Sequence, residues 1–250
     1  MRYYQILFSP TGGTKKVADA VISGMSDEFC MIDLTDRALD FSVIQLTSED
    51  ICLAAVPSYG GRVPSVAAQR LSQIKGNGAK AVLVAVYGNR EYEDTLIELK
   101  DLLEGAGFTC IGAVAAVAEH SIVREIAAGR PDSEDLEQLK TFGESLRKRI
   151  SESAGFAVPG NRPYKEIKNF SMVPSAGNAC VSCGTCALAC PVGAIPQEDP
   201  RKTDKQSCIS CMRCIHVCPR NARSLNPLVL TGTAMMLKKV ASGRKENHLI

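Results

Sequence analysis

No stretch of this 250-residue chain approaches the apolar length that crosses a bilayer; the nearest, LNPLVLTGTAMML at 225–237, is broken by Asn, Pro, Thr and Gly. The opening MRYYQILF lacks a charged region followed by an apolar core, so no secretory leader is expected. Neither G-x-x-x-x-G-K-[ST] nor G-x-G-x-x-G occurs, which removes the usual triphosphate loop and the dinucleotide fingerprint. No Ser/His/Asp set and no paired carboxylates stand out, so hydrolysis has no support and no catalytic residue is assigned. A disulfide scaffold is also disfavoured. At 45% hydrophobic and 22% charged residues the chain can build a core without one, and eight of its 11 cysteines crowd into a 39-residue window. Such clustering favours thiolates kept reduced, hence a cytoplasmic protein.

What the chain does have is one cysteine phrase written twice. Cys180, Cys183, Cys186 and Cys190 precede Pro191; Cys208, Cys211, Cys214 and Cys218 precede Pro219. Each run reads C-x2-C-x2-C-x3-C-P, the second 28 residues after the first. Three thiolates from one tight loop can bind three corners of a cuboidal [4Fe–4S] cluster, while the fourth cysteine reaches across to the other cluster. The expected sets are therefore crossed: Cys180, Cys183, Cys186 and Cys218 for one, Cys208, Cys211, Cys214 and Cys190 for the other. A zinc ribbon would need two CxxC pairs per metal and fits this spacing poorly. This part of the chain resembles the bacterial two-cluster ferredoxins at every ligand position.

Charge divides along the same line. Residues 1–155 hold 16 Lys/Arg against 22 Asp/Glu, a balance of −6, whereas residues 156–250 hold 13 against 5, a balance of +8. A basic half can signal nucleic acid or anionic membrane. Two clusters with four thiolates each, at −2 apiece, would reduce +8 to about +4. The excess then reads as counter-charge for cofactors, and no nucleic-acid partner is expected.

The first 118 residues alternate apolar runs with amphipathic stretches, the pattern of a parallel α/β sheet. Strands are predicted at 3–8, 28–34, 50–56, 79–87 and 108–118, apolar enough to be buried on both faces. Helices are predicted in TKKVADAVISGM, VPSVAAQRLSQI, YEDTLIELKDLLEGAG with a glycine C-cap, and 133–150 with Ser133 as N-cap. Residues 155–178, with three Pro and three Gly, read as an extended linker. Expected boundaries are thus 1–154 for the α/β domain, 155–178 for the linker, 179–226 for the cluster domain, and 227–250 for a short helix and polar tail. An unpaired edge strand or that tail would support a homodimer.

The first strand empties into Ser9, Pro10, Thr11, Gly12, Gly13 and Thr14, and a helix begins at once. Hydroxyls and free backbone N–H groups at a helix N-terminus suit a phosphate, although a Gly-Gly turn can be merely structural. Two further strand ends carry aromatic, glycine-containing loops: Pro57, Ser58, Tyr59, Gly60, Gly61 and Arg62 after the third, and Tyr87, Gly88, Asn89, Arg90, Glu91 and Tyr92 after the fourth. Ligands of open parallel sheets gather at these carboxyl ends. With S-P-T-G-G-T in place of S/T-x-T-G-N-T, the N-terminal half resembles a flavodoxin, Gly13 standing where the family has Asn. The resemblance implies a five-stranded parallel sheet of order 2-1-3-4-5. It also implies FMN, with phosphate at Ser9, Thr11, Gly12, Gly13 and Thr14 and the ring between the two loops. Tyr59 is the expected stacking partner; Tyr92 either joins it or points into the core.

Over residues 1–226 the whole resembles flavodoxin–ferredoxin fusion electron carriers of anaerobic microbes. That implies an oxidoreductase-type electron-transport role with two [4Fe–4S] clusters, FMN, and redox partner proteins. Two other functions remain open on the residues alone: a flavin reductase with Glu119, His120 and Arg90 around a substrate, or an iron–sulfur sensor without flavin. His120 reads more simply as a surface residue capping a turn, and His216 as exposed. Cys30, Cys52 and Cys110 read as inert buried thiols.

Overall fold

The computed structural model describes residues 1–151, 157–167 and 172–250. Of the linker expected over 155–178, residues 155, 156 and 168–171 lie outside the described residues. Five parallel strands follow the sequence pattern: β1 (Tyr3–Leu7), β2 (Cys30–Asp33), β3 (Ile51–Pro57), β4 (Lys80–Tyr87) and β5 (Thr109–Val117). Between and after them run the helices α1 (Gly13–Ser23), α2 (Ser65–Leu71), α3 (Thr95–Gly105) and α4 (Ser133–Arg149). The sheet order is β2-β1-β3-β4-β5, as the resemblance implies, with one more strand at its end, β8 (His248–Leu249). This sixth strand is antiparallel, pairing His248 with Ala115 and Leu249 with Val114. The expected polar tail is thus the sheet's last strand, used on the chain's own β5.

Alternation along the strands sorts the core into two faces. Cys52, Ala54 and Val56 of β3, with Ala81, Leu83 and Ala85 of β4, face the side of Leu71, Leu96 and Leu99. Leu53, Ala55, Val82 and Val84 face Val17, Val21, Leu139 and Leu146 of α1 and α4. Burial on both faces is what makes β3 and β4 read as continuous apolar runs. The edge strand β2 departs from that expectation: Cys30 and Met31, consecutive and so on opposite faces, are both exposed, because at the end of the sheet neither is covered. Cys52 and Cys110 are buried, as expected.

Two helix ends show how local chemistry fixes the frame. The α3 terminus closes as a Schellman motif: Phe108 N–H reaches Leu103 O and Gly107 N–H reaches Glu104 O, each at 3.0 Å, with Gly107 at φ 85°. The glycine that ends this helix therefore lies two residues beyond its last turn. At the start of α4 the cap is Asp132 rather than Ser133. Its carboxylate accepts from Asp135 N–H at 3.0 Å while Asp135 accepts from Asp132 N–H, a reciprocal capping box that a serine one residue later cannot make.

The second part of the chain contains two four-residue helices, α5 (Thr185–Leu188) and α6 (Arg213–His216), and a two-stranded ribbon of β6 (Ser175–Ala176) with β7 (Arg223–Ser224). A longer helix, α7 (Pro227–Val240), leads back to the sheet. Among the described residues, no helix is long and apolar enough to cross a membrane.

Candidate cofactor sites

The repeated phrase is repeated in the backbone too. Ser182 and Ser210 (φ 53° and 55°), Gly184 and Met212 (77° and 61°), and Gly193 and Asn221 (66° and 47°) all adopt the left-handed conformation, 28 residues apart in each pair. Two tight loops of the same shape each start a single helical turn, and each turns its cysteines inward. One cavity, of about 310 Å³ including its open mouth, is lined by Cys180, Cys183, Cys186 and Cys218. A second, of about 340 Å³, is lined by Cys190, Cys208, Cys211 and Cys214. No cysteine is disulfide-bonded. Among the described residues no His, Cys, Asp and Glu group is set to hold a single metal ion. A donor set of four sulfurs spread around such a volume suits a polynuclear group better than one ion.

The two cavities differ in setting. Cys183 is exposed, and the Thr185 hydroxyl 3.4 Å from its sulfur holds its thiol below the usual value. Cys211 is buried, which pushes its thiol up to about 12. Ala222 N–H approaches Cys218 Sγ at 3.3 Å.

The second cysteine loop lies against the α/β domain. Arg213, between Cys211 and Cys214, directs Nη1 at the carbonyls of Ser9 (3.5 Å) and Pro10 (3.4 Å). Ile209 packs on the core face around Leu71 and Leu96. Arg70 of α2 donates to Pro191 O at 2.7 Å and to Leu34 O at 2.6 Å, joining the chain after Cys190 to the sheet. Burial raises the Tyr59 phenol well above its ordinary value, the Cys211 sulfur adding to the effect. Arg213 thus ties the second cysteine loop to the loop after β1.

The loop after β1 retains its binding capacity. Gly12 takes φ 88°, a conformation that lets the chain fold over the start of α1. The N–H groups of Thr11, Gly12, Gly13 and Thr14 have no partner among the described residues, whereas Lys15 N–H is taken by Ser9 Oγ at 2.9 Å. Four unpaired donors at the positive end of an 11-residue helix fit a phosphate. After β3, Tyr59 N–H bonds Arg62 O at 2.9 Å around Gly60 and Gly61 (φ 63° and 90°), a tight turn with both central residues left-handed. Ser58 shares a 2.8 Å hydrogen bond with Thr95, and Pro57 ends β3.

The loop after β4 is committed elsewhere. Asn89, 3% exposed, gives Nδ2 to Ala241 O and Gly243 O, both at 2.7 Å. Arg90 pairs with Glu93, and the Gly88 backbone lies under the His120 ring. Tyr87 is buried, its ring 5.3 Å from that of Tyr92, which packs into the core rather than beginning α3. His120 Nδ1 accepts from Ile122 N–H and Val123 N–H at 3.2 and 3.1 Å, so it caps a turn. Glu119 is held by Arg124 and Gly129. His216 is exposed.

Sequence reasoning missed Arg70, Arg213 and the return of the C-terminal segment to Asn89. None has a local pattern, because each acts on residues more than 100 positions away.

Residues 179–223 match the family model of the 4Fe-4S dicluster domain. No curated protein matches the chain. Among solved structures it is similar to a flavodoxin of Streptococcus pneumonia TIGR4, at 21% identity over 60% of this chain and 100% of that one, with a TM-score of 0.43. It is similar also to a flavodoxin from the domain Archaea, at 14% identity over 61% of this chain and 100% of that one, TM-score 0.44. Oxidised Flavodoxin 1 from Bacillus cereus follows at 18% identity over 60% and 100%, TM-score 0.42. The β2-β1-β3-β4-β5 order is that of the flavodoxin-like doubly wound sheet. The chain joins such a sheet to an iron–sulfur dicluster segment.

Proposed function

We propose that this protein is an electron-transfer flavo-iron–sulfur protein holding two [4Fe–4S] clusters and one FMN. Cys180, Cys183, Cys186 and Cys218 would hold one cluster, Cys208, Cys211, Cys214 and Cys190 the other, and residues 9–14 the FMN phosphate. When bound, the clusters supply one-electron chemistry and the flavin supplies one- or two-electron chemistry.

The observation that carries this reading is the position of the second cysteine loop. It meets the α/β domain at the phosphate-type loop, while Cys183 of the first set stands at the surface. The order this supports runs from a solvent-facing cluster through an inner cluster to the flavin. Arg213 and Arg70 fix that order by tying backbone to backbone across the join. Tyr59 shields the ring side of the site, and Gly12 with its neighbours neutralises phosphate through oriented N–H groups.

A carrier is favoured over a reductase by the state of the three side chains that a substrate would need. Glu119 is engaged by Arg124 and Gly129, the Arg90 Nη atoms by Glu93, and His120 Nδ1 by two backbone N–H groups. The reading further includes a reducing compartment and redox partner proteins. Anaerobically purified chain is expected to contain about eight iron, about eight acid-labile sulfides and about one FMN. Iron and sulfide without flavin would remove the flavin half of the proposal, and zinc in place of iron would remove the other.

A further inference from the structure

Aligning the two cysteine phrases at their 28-residue offset sets CPVGAI opposite CPRNAR, and so Ile195 opposite Arg223. Both are interior, at 3% and 2% exposure. Ile195 packs with Cys186 and Ala187, against Cys214. Arg223 reaches one of these cysteines: Nη1 lies 3.6 Å from Cys186 Sγ. One repeat closes the module with a hydrocarbon and the other with a cation.

That cation is thoroughly fixed and poorly compensated. Nη1 donates to Pro200 O at 2.7 Å and Nη2 to Pro174 O at 3.2 Å, with a further bond to the Thr203 hydroxyl. Nε is buried without a partner, and the residue lines the first cavity. Among the described residues no Asp or Glu pairs with it; its acceptors are carbonyls, one hydroxyl and cysteine sulfur. An arginine keeps its charge in any protein setting, and burying one without a counter-ion is costly. The negative charge that justifies it must come from the two thiolate sets.

We propose that Arg223 is a positioning residue for the cluster of Cys180, Cys183, Cys186 and Cys218, whose buried charge raises that cluster's reduction potential. The inference rests on the reading of the eight cysteines as cluster ligands. Reduction adds negative charge to a cluster, so a cation hydrogen-bonded to its ligand sulfur favours the reduced form and raises the potential. Cys186 belongs to that set, so the guanidinium acts on it directly.

The test is a potentiometric titration followed by electron paramagnetic resonance, with iron and sulfide counted, on wild type, R223M and R223K. In loaded R223M one of the two potentials is expected to fall by at least tenfold in the one-electron equilibrium, which is 59 mV, and the other by less than half as much. R223K should recover at least half of that fall. Unchanged potentials, equal falls in both, or an R223K as low as R223M would overturn the proposal. If R223M takes up no cluster, wild type labelled with [15N]arginine decides. Its reduced clusters should show a nitrogen coupling that R223K abolishes, and identical spectra would refute the contact. A wild-type chain without iron would instead overturn the cluster reading beneath it.

Discussion

His120 shows how one side chain can serve the frame of a site without joining its chemistry. Burial, with the positive charge of Arg90 adding, lowers its pKa from 6.5 to about 4. Its neutral Nδ1 accepts two backbone N–H groups, which protonation would displace. As pH falls below about 6.5 an unfolded histidine takes up its proton while the folded one resists until about 4. Stability is therefore complete above the upper value and declines through this window. Glu93, held down to about 2 chiefly by the Arg90 hydrogen bond, loses its contribution only at lower pH, below the ordinary carboxylate value of 4.5. Urea midpoints measured from pH 7 to 4.5 should fall for wild type and stay nearly level for H120Q; parallel curves would contradict the account. The turn-capping role of His120 was legible because the residue follows directly on the end of β5 in the sequence. Arg223 was legible only in outline, as the mismatch with Ile195 inside a repeat, since its contacts depend on loops that the sequence does not draw.

At the scale of elements, strands buried on both faces declared themselves and the last strand did not. β3 and β4 are long apolar runs whose pattern follows from packing on two sides. The two residues of β8 carry no pattern of their own. They are held by tertiary hydrogen bonds: Ile250 exchanges bonds of 3.0 and 2.8 Å with Ala113, and Val117 N–H donates to Asn247 Oδ1 at 3.0 Å. Asn247, 4% exposed, also donates to Asp135 and Gln138, which ties the C-terminus to the buried Arg130–Asp135 pair beside α4. Replacing Asn247 by Ala strands the buried Val117 N–H, at a cost of ~1–3 kcal/mol. Chemical denaturation should show this loss, with faster amide exchange at Val117. A variant as stable as wild type would mean that β8 adds nothing to the sheet.

Across the whole molecule the chain closes on itself. It leaves the sheet after α4, returns to the Arg62–Glu98 ion pair through Tyr164 and Lys165, builds the cysteine module, and comes home through α7 to Asn89 and β5. The sheet order and the cysteine spacing are local patterns, and the sequence displays both. How the module docks is not local: Arg213 and Arg70 act across 203 and 121 positions. Under the proposed function, that docking joins the two cofactor sites into one path, with the inner cysteine set, rather than the exposed one, beside the loop after β1. The most direct test is rapid anaerobic mixing of fully loaded protein with a substoichiometric one-electron reductant, at several protein concentrations. Bleaching of the iron–sulfur absorbance should precede reduction of the flavin, with a first-order rate constant that does not change with concentration. A flavin rate that rises in proportion to protein concentration, or a flavin that stays oxidised, would contradict the path within one molecule.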